Sequence, residues 1–145
     1  MSRWTSRRAT LHLTIRSDGW RLRDGQRDLS EASVALASDL GALIASLDAL
    51  APQAIGRGAR LDVIVSDRWV QTFDVTPPAG VRDMDELRQL AALRRSALFC
   101  SGESEHTIVA HWHASQAFVA AALPRAQLEA LHALCRRHGW HLCSV

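Results

Sequence analysis

The stretch ATLHLTIRSDGWRLR, residues 9–23, decides the fold. Polar and apolar residues alternate on both sides of the turn formers Ser17, Asp18 and Gly19, and this period of two is typical of half-buried β-strands. One face carries the apolar side chains of Leu11, Leu13, Ile15, Trp20 and Leu22. The stretch therefore predicts a β-hairpin.

A second stretch of the same design begins at residue 60. RLDVIVSDRWVQTFDV, residues 60–75, repeats the alternation and turns at Ser66 and Asp67, so Ser-Asp-x-Trp occurs twice in one chain. HTIVAHWH and AFVAAALP, residues 106–113 and 117–124, predict a third pair of strands. Each pair is expected to form a hairpin.

Helical spacing follows each pair of strands. Apolar residues recur at positions three and four apart in residues 36–50, 84–98 and 125–139, and WHLCSV, residues 140–145, predicts a last strand. The order predicts three strand-strand-helix units plus a final strand. This is an α/β (α+β) fold, in which helices pack on a mixed sheet.

Two acidic pairs mark the expected starts of the first two helices. Asp28 with Glu31, and Asp83 with Glu86, have the spacing of capping boxes, in which the two side chains satisfy free backbone N–H groups of the first helical turn. The first helix is therefore expected to begin soon after residue 28.

Composition is that of a soluble globular protein. Apolar residues make up 48% of the 145 residues and charged residues 22%, and no run approaches the roughly 18 apolar residues that a membrane span needs. Three cysteines without close spacing and without an export signal indicate a reducing cytoplasm. We expect residues 1–145 to form a single domain, with residues 1–8 flexible.

Lysine is missing from the sequence, and all 17 basic residues are arginine. This excludes a P-loop lysine, a Schiff-base lysine and the lysine of a kinase-type ATP site. The positive charge is concentrated in the first 27 residues, which makes the amino-terminal part the place to look for an acidic partner.

Two pairs of residues have the chemistry of weak metal candidates. His111 and His113, and likewise His141 and Cys143, are two apart and so share a strand face, and four such ligands would suit tetrahedral zinc if the two strands were paired. Solvent-facing histidines beside a half-buried cysteine explain the same pattern. We predict no metal and no cofactor.

Other candidate groups have simple structural explanations. Asp18 and Asp67 could form a two-carboxylate metal site, but aspartates in turns commonly bond their own backbone. Cys100 and His106 could form a nucleophile and base, but a free cysteine is more often a small buried apolar residue. We predict no catalytic residues.

Residues 58–145 resemble the first domain of a known protein family. The runs GARLDVIVSDRWVQTFDVTPP, ELRQLAALRRSALF and FVAAALPRAQLEALHALCRRHGWHLCSV are similar to the actin-like domain of the pilus assembly protein PilM and of the cytoplasmic part of type II secretion protein L. The resemblance implies a ribonuclease-H-type fold. It also implies a location at the inner face of the cytoplasmic membrane and binding to a membrane-anchored partner.

Two departures from actin-like ATPases bear on activity. The ATPases hold phosphate with glycine-containing hairpins, whereas here Trp20 follows Gly19 and the second Ser-Asp-x-Trp has no glycine. The chain is also expected to supply one domain, without the second wall of a nucleotide cleft. We therefore predict a non-enzymatic scaffold or adaptor of a pilus or secretion apparatus. The alternative is an ATP-binding half-domain that a partner or a second domain completes.

The predicted first hairpin carries a basic outward face. His12, Arg16, Arg21 and Arg23 alternate with its apolar residues, and we predict this hairpin to be a sheet edge beside the partner-binding surface. Arg16, Arg21, Arg23 and the aromatic Trp4 are the predicted partner-binding residues. A homo-oligomer is possible. Binding of nucleic acid by these arginines would weaken steeply with salt, and we expect no specific nucleic acid.

Overall fold

Strands and helices alternate along the chain in the computed structural model, which describes residues 9–33, 40–50, 55–66, 68–100 and 105–145. The elements are β1 (Thr10–Arg16), β2 (Gly19–Asp24), β3 (Arg27–Ser33), α1 (Leu40–Leu50), β4 (Arg60–Val65), β5 (Gln71–Val75), α2 (Met84–Phe99), β6 (His106–Ala110), β7 (Phe118–Pro124), α3 (Arg125–His138) and β8 (His141–Ser144). Residues 1–8, predicted to be flexible, lie outside the described residues.

The contacts divide the chain into two compact units. Unit 1 comprises Met1–Ser66 with Glu129–Val145, and unit 2 comprises Asp67–Leu128. That all 145 residues form one domain stays a prediction. The α/β class, with a mixed sheet and packed helices, is confirmed.

Unit 1 is built on a five-stranded mixed sheet in the order β3-β2-β1-β4-β8. β2 is antiparallel to β1 and β3, whereas β4 is parallel to β1 and β8. The alternating apolar residues share one face and are fully buried with residues of α1 and α3. This core includes Leu11, Leu13, Ile15, Leu22, Leu43, Leu47, Leu61, Leu131 and Leu134. Asp48 of α1 contacts Arg137 and His138 of α3, which ties the two helices together.

Gly19 and Trp20 explain why the first turn has its sequence. A Cβ atom at Gly19 would lie 2.0 Å from the carbonyl oxygen of Ala32 in β3, so only glycine fits here. Trp20 is 2% exposed, and its Nε1–H donates to Ser46 Oγ at 2.7 Å. The turn is therefore shaped by packing against β3 and α1.

The prediction that Asp28 and Glu31 cap the first helix is wrong. Asp28 and Glu31 lie in β3, and α1 begins at Leu40. In β3 they lie opposite Arg23 and Arg21 of β2, so opposite charges pair across the two strands. β3 also occupies the edge of the sheet, so the prediction that the first hairpin forms the edge is wrong.

Unit 2 is built on a three-stranded antiparallel sheet in the order β5-β7-β6, with α2 on one face. Its core consists of Phe73, Val75, Leu87, Ala91, Phe118, Ala120 and Ala122. Asp83 caps the start of α2, as predicted, by accepting from the backbone N–H of Asp85 at 3.1 Å.

The second Ser-Asp-x-Trp does not turn a hairpin. β4 pairs with β1 and β8, whereas β5 pairs with β7 in the other sheet. Ser66 still follows the line of β4, because its N–H donates to the carbonyl oxygen of Ile15 at 2.9 Å. The chain leaves unit 1 immediately after Ser66, and Asp67 lies outside the described residues. The predicted β4–β5 hairpin is therefore wrong.

Candidate partner-binding surface

The outer face of the five-stranded sheet, opposite the core, carries the basic residues predicted to bind a partner. His12 and Arg16 of β1 project from this face, because side chains alternate along a strand. In the antiparallel register Arg23 lies opposite His12, and Arg21 lies opposite Thr14. The surface formed by His12, Arg16, Arg21 and Arg23 is called the arginine face below.

Each arginine of this face lies against a carboxylate. The nitrogen–oxygen distances are 3.6 Å for Arg16 with Asp18, 3.0 Å for Arg21 with Glu31 and 2.9 Å for Arg23 with Asp28. The arginine side chains are between 37% and 57% exposed, and the carboxylates are more exposed still. Exposed ion pairs of this kind contribute up to about 1 kcal/mol each, so solvent or another chain can compete for them.

The guanidinium groups of Arg21 and Arg23 have more N–H donors than these ion pairs use. Nε and Nη2 of Arg21 both contact the same oxygen, Glu31 Oε2. Arg23 adds a bond from Nη2 to the carbonyl oxygen of Gln26 at 3.1 Å. Because a guanidinium has five N–H donors in a planar fork, a further carboxylate can bind beside the internal one.

Polar contacts also occur on this face at β4 and β8, on the other side of β1 from the arginines of β2. Asp62 of β4 lies 4.0 Å from His12 and accepts a bond from Ser144 Oγ at 2.8 Å. The hydrogen bond from Arg60 Nε to Cys143 Sγ, 3.4 Å long, raises the pKa of that guanidinium. Charged and polar side chains therefore cover this face from β2 to β8.

The four weak metal candidates do not lie on a pair of neighbouring strands. His111 and His113 are exposed and follow β6, which pairs with β7. His141 and Cys143 are exposed on β8, which pairs with β4. Among the described residues, no group of three or more His, Cys, Asp or Glu side chains could hold a metal ion.

The predicted carboxylate and cysteine candidates form no common site among the described residues. Asp18 is the carboxylate beside Arg16, and Asp67 is not among the described residues. Cys100 is exposed and ends α2 with a left-handed backbone. Burial, with a smaller contribution from Cys143, raises the pKa of Cys135 to about 11, so that thiol stays neutral near pH 7.

Sequence reasoning missed the carboxylates that complete the arginine face. Their capping-box spacing predicts a helix start at Asp28 and Glu31, although Gly25 and Gln26 before them form a two-residue hairpin loop with glycine at its first position, as in a type II′ turn. Gly25 has the positive φ of 56° that such a turn requires. Trp4, the fourth predicted contact residue, lies outside the described residues.

The described helices are short. They contain 11, 16 and 14 residues, whereas a membrane-spanning helix needs about 20. Within the part of the chain that the structure describes, none is long and apolar enough to cross a bilayer.

Comparison with known proteins finds likeness in structure only. No protein family model matches the chain, and no curated protein does. The PilM-PilN type IV pilus biogenesis complex matches 92% of the chain with a TM-score of 0.53 and 15% identity. The cytoplasmic domain of EpsL, an inner membrane component of the type II secretion system of Vibrio cholerae, matches 92% with a TM-score of 0.49 and 14% identity.

The likeness concerns the fold, because the sequence identities are low. The chain spans about half the length of these structures, 46% in the PilM-PilN complex and 54% in EpsL. The predicted resemblance is confirmed at the level of the fold by the PilM-PilN complex. The chain therefore shares its mixed α/β fold with a structure of the PilM-PilN complex.

Proposed function

We propose that the protein is a non-enzymatic scaffold of a pilus or secretion apparatus. It works in the cytoplasm, at the inner face of the inner membrane, and its arginine face binds a cytoplasmic segment of a membrane-anchored protein. Trp4 adds an aromatic contact to the same partner.

The observation that carries the proposal is the match of 92% of the chain to a structure described as the PilM-PilN type IV pilus biogenesis complex. That structure is a complex of PilM with PilN. A chain with the same fold is suited to a similar task, and the arginine face supplies a surface for it.

The first Ser-Asp-x-Trp supports a role without nucleotide chemistry. A phosphate-binding hairpin needs backbone N–H groups that an anion can approach. Here Gly19 is packed against the backbone of Ala32, and the next residue, Trp20, is buried and bonded to Ser46. Packing therefore accounts for both residues without a phosphate.

The arginine face favours a partner segment rich in Asp and Glu. Guanidinium groups bind carboxylates with two parallel hydrogen bonds, which fixes orientation as well as adding energy. Three arginines lie on neighbouring strands of one rigid sheet, so an extended acidic segment could contact them together. Each contact is exposed, so the total affinity is expected to be moderate and to fall with salt.

The test replaces the three arginines without creating like-charge pairs. Glutamate at position 21 would face Glu31, so the variant is Arg16→Gln, Arg21→Gln, Arg23→Gln. The probe is a set of peptides from the cytoplasmic segments of membrane proteins encoded beside the gene. We expect the triple variant to bind the cognate peptide roughly tenfold more weakly than the parent.

The matched control removes three exposed arginines elsewhere: Arg82→Gln, Arg88→Gln, Arg136→Gln. It has the same net charge as the triple variant, so it is expected to retain the parent's affinity for the peptide. Trp4→Ala should weaken binding as well. Equal binding by the parent and the Arg16, Arg21, Arg23 variant would contradict the proposed surface.

A further inference from the structure

The sheets of the two units have four edge strands, and three of them carry features that oppose pairing with another chain. β3 contains charged residues, among them Asp28 and Glu31. β8 has only four residues and a register shift against β4. In β5, the carbonyl oxygen of Asp74 accepts a bond from Arg94 Nε at 3.4 Å. Charge, shortness, irregularity and side-chain cover are common ways of protecting sheet edges.

β6 differs from the other three edge strands. Its sequence is HTIVA, with no Asp, Glu, Lys, Arg or Pro, and with β-branched residues at Thr107, Ile108 and Val109. Among the strands that the structure describes, only β7 pairs with it, so it lies at the edge of the three-stranded sheet. A neutral, β-branched edge is the kind that pairs readily with another strand.

The hydrogen-bond pattern shows which backbone groups point outward from β6. Just before the strand, the N–H of Arg125 donates to the carbonyl oxygen of Glu105 at 2.8 Å. Antiparallel pairs alternate between bonded and non-bonded positions, so residues 107 and 109 bond to β7. Ile108 and Ala110 therefore direct their N–H and C=O groups to the open side, where no hydrogen bond in the described structure reaches them.

The side chains of β6 also leave apolar surface open. Val109 is 55% exposed on the face of the sheet that α2 does not cover. Ile108 points to the opposite face and packs at the margin of the unit 2 core. A strand added at this edge would cover both side chains.

We propose that β6 pairs with β6 of a second copy of this chain. The two strands run antiparallel about a two-fold axis at Ile108, and the two three-stranded sheets join into one of six strands. Ile108 then exchanges both backbone bonds with its counterpart. Val109 lies opposite Thr107 of the other copy, a β-branched pair at the close spacing of a non-bonded position.

Self-pairing fits this strand because it brings no like charges together. When two copies of HTIVA pair antiparallel about Ile108, Thr107 lies opposite Val109 and His106 lies opposite Ala110. The three other edges would place charged residues or an irregular segment at the junction. This dimer is separate from the arginine face, which lies on the other sheet.

The first experiment puts a lysine on the edge. Val109→Lys adds a charge to an exposed position, so folding should be little affected. In a dimer the two lysines would lie diagonally across the two-fold axis, where their like charges repel each other. Val119→Lys is the matched control, because Val119 is 60% exposed on the central strand β7. Sedimentation equilibrium should give a dimer for the parent and for Val119→Lys, and a monomer for Val109→Lys.

A parent that remains monomeric at millimolar concentration would overturn the proposal and leave the edge to a strand of another protein. A dimeric Val109→Lys variant would overturn it equally. Circular dichroism of both lysine variants controls for folding.

The second experiment tests the register by disulfide formation. In a Cys100→Ser, Cys143→Ser background, Thr107→Cys and Val109→Cys proteins are mixed and oxidised. Opposed residues at a non-bonded position have Cα atoms about 4.5 Å apart, within the range for a disulfide. The mixture should cross-link, and each protein alone should not, because like positions are about 7–8 Å apart on the diagonal. No cross-link in the mixture would contradict this register.

Discussion

The two Ser-Asp-x-Trp segments have similar sequences and different structures. Residues 17–20 turn a hairpin inside the five-stranded sheet, whereas residues 66–69 lead from that sheet to the three-stranded one. The packing around the two segments also differs. Gly19 allows the backbone of β3 to approach, whereas the guanidinium group of Arg68 in the second segment lies over the ring of Trp69.

The tryptophans differ in the same way. Trp20 is buried and bonded to Ser46 of α1. Trp69 is half-buried, and the Arg68 guanidinium lies 5.2 Å from the centre of its ring. A repeated motif therefore gives no evidence of a repeated site, because the contacts of each copy come from distant parts of the chain.

Gly19→Ala should have the largest effect of any change in these segments. The new Cβ atom would lie 2.0 Å from the backbone oxygen of Ala32, so β3 or the turn must move. We expect the free energy of unfolding to fall by about 3 kcal/mol or more. Urea denaturation measures it, with Gly56→Ala as the control, because a Cβ there meets nothing within 4 Å. Similar stabilities for the two variants would contradict this account of the first turn.

Trp20→Phe should have an intermediate effect. It removes the bond to Ser46 Oγ and leaves a small cavity in a buried site, which together lower the free energy of unfolding by about 2 kcal/mol. Ser46 keeps its other bond, to the carbonyl oxygen of Leu43 at 2.8 Å. Trp69→Phe, at the half-buried copy, is expected to cost less than about 1 kcal/mol. A larger loss of melting temperature for Trp69→Phe than for Trp20→Phe would contradict this difference between the two tryptophans.

Arg68→Gly should have a smaller effect than Gly19→Ala or Trp20→Phe, although it turns the second segment into the sequence of the first. β4 is held between β1 and β8, so a glycine cannot make it turn back toward β5. The lost contact with Trp69 and the added chain entropy together lower the free energy of unfolding by about 1 kcal/mol. A far-ultraviolet circular dichroism spectrum unlike the parent's would show that local sequence decides the connection after all.

Local patterns predicted most elements but few of their partners. The alternation in residues 9–23 and 60–65, and helical spacing in residues 84–98 and 125–139, correspond to strands and helices of the structure. β3 was missed because its acidic residues also fit a capping box. The parallel pairing of β4 with β1 was missed because contacts between distant segments depend on packing of the whole unit.

The arginines of the candidate surface could be predicted from the sequence, but their carboxylate partners could not. Alternation alone places Arg16, Arg21 and Arg23 on one outward face, as the structure has them. Their carboxylate partners Asp28 and Glu31 depend on β3, and so could not be found without it. The unprotected edge at β6 depends in turn on which strands pair, which the sequence pattern leaves open.

The central claim is that this chain works by contact with a protein and not by nucleotide chemistry. Isothermal titration calorimetry of one protein sample with Mg-ATP and with the cognate cytoplasmic peptide tests it most directly. We expect measurable heat and a saturable isotherm with the peptide, and no Mg-ATP binding tighter than millimolar. Micromolar binding of Mg-ATP, without binding of any peptide, would contradict the claim and favour the ATP-binding half-domain.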